Sequence, residues 1–347
     1  MTKIKYNLKN IFFQLTLNLA YIATIIVRFF PPETSHDLTL KSLKIIDSMG
    51  FRLRRKNQKN INLSLMGLSF KNKLGVSGGL DKNGDYIKAL SNLGFGFVEL
   101  GTVTPRPQIG NNKPRLFRDS KNLAILNRMG FNNKGVEYLI SKVESAGRDY
   151  NLAISIGINS DTPQNKAIDD YLFCLEKAYP VADFVTINIS SPNTEDLRSL
   201  HSPQKLPDFL SSLKEKQHSL ANNFGYKPLL VKISPDEDEE NLKKIAKTLI
   251  SIKIDGLIAT NTTSNHQSAH GKGGISGKPL FKKSTRVLKL MRSLLGKEFP
   301  IIASGGVTDL KTYKEKINSG ANLVQIYTGI IYKGPKLIQE ILAAEQD

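Results

Sequence analysis

Eight short β-rich runs, most separated by enough chain for a crossover helix, constrain this chain more than any other feature. They are Leu74–Ser77, Phe97–Leu100, Leu152–Ile156, Phe184–Ile189, Leu229–Ile233, Gly256–Ala259, Ile301–Ala303 and Leu323–Ile326. Strands alternating with helices make a parallel sheet, and eight such units close more readily than they lie open. The expected fold class is therefore α/β, a (β/α)8 TIM barrel. A barrel takes about 250 residues as one domain. The chain has 347, which leaves room for a small module, expected over 1–55 and followed by the barrel over 56–347.

At or just after nearly every run stands a glycine or a polar residue: Gly78-Gly79, Gly101-Thr102, Gly157, Asn188, Lys232, Thr260-Asn261, Gly305-Gly306 and Tyr327. Ligands bind at that rim in barrel enzymes, although turns use the same residue types for their own geometry. Two glycine clusters narrow the ligand. Gly273–Gly277 lies between the sixth and seventh runs, and Ser304-Gly305-Gly306 and Thr328-Gly329 follow the seventh and eighth. Loops after the last two strands commonly bind phosphate through backbone N–H groups, and glycine lets the backbone approach. A phosphate-bearing cofactor is expected. The chain has no Gly-x-Gly-x-x-Gly before a helix and no P-loop lysine motif, which opposes a dinucleotide-fold or nucleotide-hydrolysing domain. No metal site is expected, because His266 and His270 share a Ser/Asn/Gly-rich loop without a carboxylate between them. Cys174 is the single cysteine, so no intramolecular disulfide can form, and its apolar neighbours predict a buried helical thiol.

The N-terminal segment carries the charge asymmetry. Of a net +18, residues 1–60 hold +8, with 11 basic and 3 acidic residues. Such an excess favours an anionic partner, whether lipid, nucleic acid or phosphate. Ile11–Phe30 is long enough to span a bilayer, yet Gln14, Asn18, Tyr21, Thr24 and Arg28 form one polar stripe on a helix. Phe12, Leu15, Leu19, Ile22 and Ile26 spread over the other side. That pattern predicts a helix lying in the membrane interface, with a spanning helix or an ordinary core helix as alternatives. Lys3, Lys5, Lys9 and the cluster Arg52-Leu-Arg-Arg-Lys56 flank it, as an anionic membrane surface would favour. Pro31-Pro32 ends this helix, and Thr34 or Ser35 is expected to cap a second one that carries Leu38, Leu43, Ile46 and Met49 and stops at Gly50.

Six motifs then carry a resemblance: Ser77-Gly-Gly-Leu-Asp-Lys82, Glu99-Leu-Gly-Thr-Val-Thr-Pro-Arg-Pro107, Asn127-Arg-Met-Gly-Phe-Asn132, Asn188-Ile-Ser-Ser-Pro-Asn-Thr194, Ala259-Thr-Asn-Thr-Thr263 and Gln325-Ile-Tyr327. In this order they closely resemble the quinone-dependent (class 2) dihydroorotate dehydrogenases, over about residues 35 to 340. The resemblance implies FMN as cofactor and oxidation of (S)-dihydroorotate to orotate in pyrimidine (UMP) biosynthesis. It also implies a membrane quinone as final electron acceptor, and a peripheral protein on the cytoplasmic face of a bacterial inner membrane. A monomer is expected.

Oxidising a C–C bond beside a carbonyl removes a proton on one side and a hydride on the other, so a base must face the flavin across the substrate. The resemblance makes Ser191 that base. Serine needs a closed site and a relay to act, and Thr194 and Phe131 match the relay positions. A sister class uses cysteine at this place, but Cys174 lies elsewhere in the chain. The substrate positions implied are Lys82, Asn127, Arg128, Met129, Gly130, Phe131, Asn188, Asn193, Asn261 and Thr262. Lys82 would pair with the substrate carboxylate, and the amides would match a ring that alternates N–H and C=O. The FMN positions implied are Gly78, Gly79, Leu80, Asp81, Lys82, Thr102, Ser155, Asn188, Lys232, Thr260, Gly277, Gly306, Tyr327 and Thr328. Lys232 would stabilise negative charge on the reduced flavin. Ser155 departs from the family's usual asparagine, and its shorter reach puts direct flavin contact in doubt. His36, Arg118 and Tyr327 match positions lining a quinone passage.

Two other classes compete. Flavin barrels that reduce tRNA uridines are also basic, but here the charge gathers beside an apolar helix and no RNA-binding appendage is evident, so no nucleic-acid partner is expected. A non-catalytic flavin-storing barrel is opposed by the intact proton-transfer set.

Overall fold

The computed structural model describes residues 2–50, 61–194 and 197–345, with side chains from residue 13 onward. Two helices come first, α1 (Thr2–Val27) and α2 (Pro32–Ser48). A hairpin of β1 (Leu63–Leu65) and β2 (Leu68–Phe70) then leads into β3 (Leu74–Val76), α3 (Ile87–Ser91) and β4 (Phe97–Val103). Next come β5 (Leu116–Asp119), β6 (Ala124–Asn127), α4 (Val136–Ser145), β7 (Asn151–Ile156), α5 (Ala167–Ala178) and β8 (Phe184–Asn188). The rest alternates through α6 (Leu206–Phe224), β9 (Leu229–Ile233), α7 (Glu239–Ser251), β10 (Gly256–Ala259), β11 (Gly274–Gly277), α8 (Phe281–Leu295), β12 (Ile301–Ser304), α9 (Leu310–Asn318), β13 (Leu323–Ile326) and α10 (Thr328–Ala344).

All eight runs read from the sequence are barrel strands. They close in the order β3, β4, β7, β8, β9, β10, β12 and β13, every neighbour parallel. Two sheet features escape a count of strand-helix units. The β1–β2 hairpin packs Leu63, Leu65, Met66 and Leu68 against one end of the barrel. A separate sheet, β5–β6–β11, is antiparallel and stands outside the barrel. Its central strand carries the Asn127 motif, and its strands of four residues are too short to show a period.

The barrel interior explains where the site must lie. Side chains on a strand point to the same face every second residue. At one level Phe97, Ala153, Phe184, Leu230, Ile258, Ile302 and Leu323 meet Phe70 in a closed apolar cluster, with Phe70 and Phe97 edge-to-face at 5.9 Å. Removing such a ring costs about 3–5 kcal/mol. Two residues further along the same strands stand Glu99, Ser155, Thr186, Lys232, Thr260, Ser304 and Gln325, none more than 6% exposed. Buried polar groups need partners, and while several of these seven bond one another, Thr186 Oγ1 and Gln325 Oε1 have none among the described residues. The seven mark the floor of a site at the C-terminal rim.

The N-terminal helices are packed on the barrel through α10 and α3. The expected polar stripe of α1 divides: Gln14 and Asn18 are exposed, Thr24 is buried, and Arg28 lies over the Tyr332 ring of α10 at 5.5 Å. The apolar side faces outward instead, with Leu15, Leu19, Ile22 and Ile26 exposed. No helix among the described residues is long and apolar enough to cross a membrane. The expected cap of α2 is also corrected. Pro31 occupies the N-cap and Pro32 the first turn, where a missing N–H costs nothing. Ser35 instead donates its hydroxyl to the Val27 carbonyl at 2.5 Å, tying α2 to the end of α1. The basic cluster at 52–56 and the expected domain boundary at 55/56 lie outside the described residues. Cys174 is buried in α5 as expected, and burial pushes its thiol well above the usual range.

Candidate active site

The rim opens into a chamber of about 1060 Å³, partly continuous with solvent. Its floor is the polar layer. Lys232 donates to Glu99 Oε1 at 3.2 Å and to Ser77 Oγ at 3.3 Å, and Gln325 Nε2 donates to Glu99 Oε2 at 2.6 Å. Glu99 is fully buried, a position that a carboxylate tolerates only with such donors. Gly78 runs over this carboxylate so closely that a Cβ would sit 2.4 Å from Glu99 Oε1. Gln325 Oε1 has no hydrogen-bond partner among the described residues. Glu99 and Gln325 had no role assigned from sequence, yet the signal was present, since each is polar two residues after an inward apolar residue of its strand.

One wall holds linked amides. Asn188 Nδ2 donates to Thr102 Oγ1 at 2.7 Å, and Asn188 Oδ1 accepts from Asn261 Nδ2 at 3.3 Å. Asn193 Nδ2 donates to Asn127 Oδ1 at 3.0 Å, and Asn127 Nδ2 to the Gly274 carbonyl at 3.1 Å. Met129, Gly130, Phe131, Thr260 and Thr262 complete that side. Ser191 faces the chamber from the loop after β8, nearly buried, its Oγ accepting from Asn193 N at 3.2 Å. Nearby in sequence, Thr194 Oγ1 is buried with no partner among the described residues.

The glycine positions expected to approach an anion also line the chamber. Gly277, Gly306, Tyr327 and Thr328 line it, along with Gly79. Gly306 has φ +85°, and a Cβ there would lie 2.3 Å from Phe281 Cα, so only glycine fits. Beneath it Ser284 Oγ donates to the Gly305 carbonyl at 2.9 Å. Lys316, fully buried, donates to Ser284 Oγ at 2.7 Å, and its burial lowers it to about 7.

Four carried-over positions stand outside the chamber lining. The Asp81 carboxylate accepts from Asn83, Asp85 and Tyr86 N–H groups and so caps a turn, while burial raises it to about 6. Leu80 faces a neighbouring cavity. Arg128 covers the Phe117 ring at 4.8 Å and donates to the His270 carbonyl. Ser155 sits below the lining and meets Thr102 Oγ1 at 2.8 Å, so its hydroxyl reaches the chamber through Thr102. Lys82 does line the chamber. Burial, then Arg115, lowers it to about 8.

The second cavity, of about 1150 Å³ and partly open, lies between α1, α2 and α10, and its lining is overwhelmingly apolar. His36, Arg118 and Tyr327 all line it. Burial, then the Lys82 charge, lowers His36 to about 3, so the imidazole is neutral at physiological pH. Arg118 donates to Ser35 Oγ at 3.2 Å and to the Phe30 carbonyl. Leu116, Ile125 and Tyr327 line both cavities, forming a common wall. Glu33 of α2 closes the joint, accepting from Arg115 Nε at 3.0 Å and Nη2 at 2.9 Å. No spacing in the sequence pointed to this pair.

A glycine-lined pocket, a buried lysine and a set of linked amides at the C-terminal rim of a (β/α)8 barrel define a cofactor-dependent enzyme of the barrel class. A family model described as dihydroorotate dehydrogenase matches residues 60–345. A dihydroorotate dehydrogenase (quinone) of Acinetobacter baylyi is 48% identical over 320 residues, covering 90% of this chain and 95% of that protein. One from Azotobacter vinelandii is 47% identical over 321 residues, covering 90% and 92%. Among solved structures, DHODH from Eimeria tenella in complex with ferulenol superposes with a TM-score of 0.82 at 33% identity, covering 90% of each chain. The chain belongs to the dihydroorotate dehydrogenase family, whose members are flavin-dependent.

Proposed function

We propose that this chain oxidises (S)-dihydroorotate to orotate in pyrimidine (UMP) biosynthesis, with FMN as cofactor and a membrane quinone as final acceptor. The observation that carries this reading is the pair of cavities, one polar and one apolar, meeting at Leu116, Ile125 and Tyr327. A polar anionic substrate and a greasy acceptor require such opposite surroundings.

The residues fit FMN. Gly306 and Gly277 open a backbone cradle for a phosphate, and Gln325 Oε1 offers an unpaired acceptor to a ring N–H. Bound FMN would supply the hydride acceptor. Lys232 holds positive charge at the chamber floor, where negative charge would develop. Lys82 binds the substrate carboxylate, and Asn127, Asn188, Asn193 and Asn261 orient the ring. Ser191 takes the proton and passes it toward Thr194, with Phe131 excluding water.

The exposed apolar face of α1 rests in an anionic membrane surface, on the cytoplasmic side of the inner membrane, with the chain acting as a monomer. Residues 1–55 form the quinone entrance. A truncation starting near Leu63 should lose quinone reduction, and normal quinone turnover by it would overturn that role. The main test is to add dihydroorotate to the yellow protein without oxygen, then supply quinone, fumarate or NAD. Bleaching followed by recovery with quinone alone is expected. No bleaching, or recovery with NAD, would defeat the proposal.

A further inference from the structure

Arg198 stands in no motif that the assigned chemistry uses. From the turn after the Ser191 loop its guanidinium reaches three rim loops at once. Nε donates to the Ser190 carbonyl at 3.3 Å, directly before Ser191. Nη2 donates to the Thr262 carbonyl at 3.3 Å, directly after Asn261. Nη1 donates to Asp236 Oδ2 and to Ser264 Oγ, each at 3.0 Å.

Asp236, after β9, is the anchor. Its other oxygen accepts from Lys283 Nζ at 2.5 Å and from Thr263 Oγ1, and Ser264 N donates to Oδ2 at 2.7 Å. Burial alone would raise this carboxylate, but these donors hold it well below the usual range. The anchor is therefore ionised throughout the working pH range and cannot release the arginine by titration. A planar fork with fixed donor directions sets the distance between the loops it joins, which a flexible ammonium cannot do.

We infer that Arg198, held by Asp236, is a positioning residue that fixes the backbone on both sides of the reacting ring, Ser190 for the base and Thr262 for the substrate amide. This rests on Ser191 being the base. Arg198 touches neither substrate nor cofactor in this role. Its loss should spare flavin content and quinone reoxidation and act on proton removal, because misplacing a reacting group by about 1 Å can cost about 10²-fold.

Anaerobic stopped-flow reduction by dihydroorotate tests it on the intact flavoprotein. Arg198→Gln should slow flavin reduction about 10²-fold, with orotate affinity and quinone reoxidation nearly unchanged. Arg198→Lys keeps the charge beside Asp236 but not the fork, and should remain slow. Should Arg198→Gln fail to hold flavin, Arg198→Lys decides alone. Reduction at the normal rate in either folded variant, or a loss of orotate affinity as large as the loss of rate, overturns the inference. Ser191→Ala run in parallel separates the two assignments. If it is slow while Arg198→Gln is fast, the inference falls and the base stands. If it reduces normally, the base assignment falls and the inference with it.

Discussion

The two cavities are built by different means. The rim chamber is assembled on barrel strands, where inward positions repeat every second residue and the register places Glu99, Lys232 and Gln325 in one layer. The helical cavity is assembled where two N-terminal helices, α1 and α2, lie against the barrel's last helix, α10, tied down by side chains such as Glu33 on Arg115 and Arg118 on Ser35. A strand register fixes many groups together, so the chamber can hold precise hydrogen bonds. Helices laid on a surface can shift as a unit, so the second cavity suits a ligand recognised by its greasiness rather than by directed bonds.

The largest break between the two should come from Ser191→Ala. It should lower flavin reduction by dihydroorotate about 10²–10⁴-fold and leave quinone reoxidation intact, as stopped-flow half-reactions would register. Next comes the opposite lesion. Replacing Leu19 and Ile22 by Glu places charge on the exposed face of α1, where each apolar side chain buried in lipid contributes about 1.5–3 kcal/mol. Sedimentation with anionic vesicles should show at least about a tenfold loss of binding, while dihydroorotate reduction of the flavin stays normal.

The pH dependence of orotate binding sharpens the chamber alone. Lys82, lowered to about 8 chiefly by burial, is charged below that value and neutral above it. Affinity for the anion should hold below pH 8 and fall about tenfold per pH unit above it, and Lys82→Met should abolish that slope in a titration of flavin absorbance. The smallest effect is expected from Glu33→Gln. It weakens the ion pair with the nearly buried Arg115, at about 1–2 kcal/mol. It should raise the KM for quinone more than that for dihydroorotate.

The same contrast decides how much could be read from sequence. All eight barrel strands were legible because short β-rich runs closed by a Gly or a polar residue recur along the chain, and Lys82, Asn188, Ser191, Asn193 and Asn261 fall at or after the ends of those runs, whereas Asn127 comes from the β5–β6–β11 sheet. Motif position was less reliable for Leu80, Asp81 and Arg128, which follow or precede rim residues in sequence but turn away from the chamber in space. Ser155 reaches it only through Thr102. The Glu33–Arg115 joint and the Arg198–Asp236 anchor join residues 82 and 38 positions apart. Neither partner has a local period that would announce the other. The β5–β6–β11 sheet was equally silent, since pairing of β11 with β6 depends on tertiary approach rather than on either segment.

The wall of Leu116, Ile125 and Tyr327 has a kinetic consequence. A molecule on one side of it occupies none of the volume on the other, so the two reactants do not exclude each other. Inhibitors shaped for one cavity should therefore leave the equilibrium binding of the other reactant unaffected, and two such inhibitors should occupy one protein molecule together.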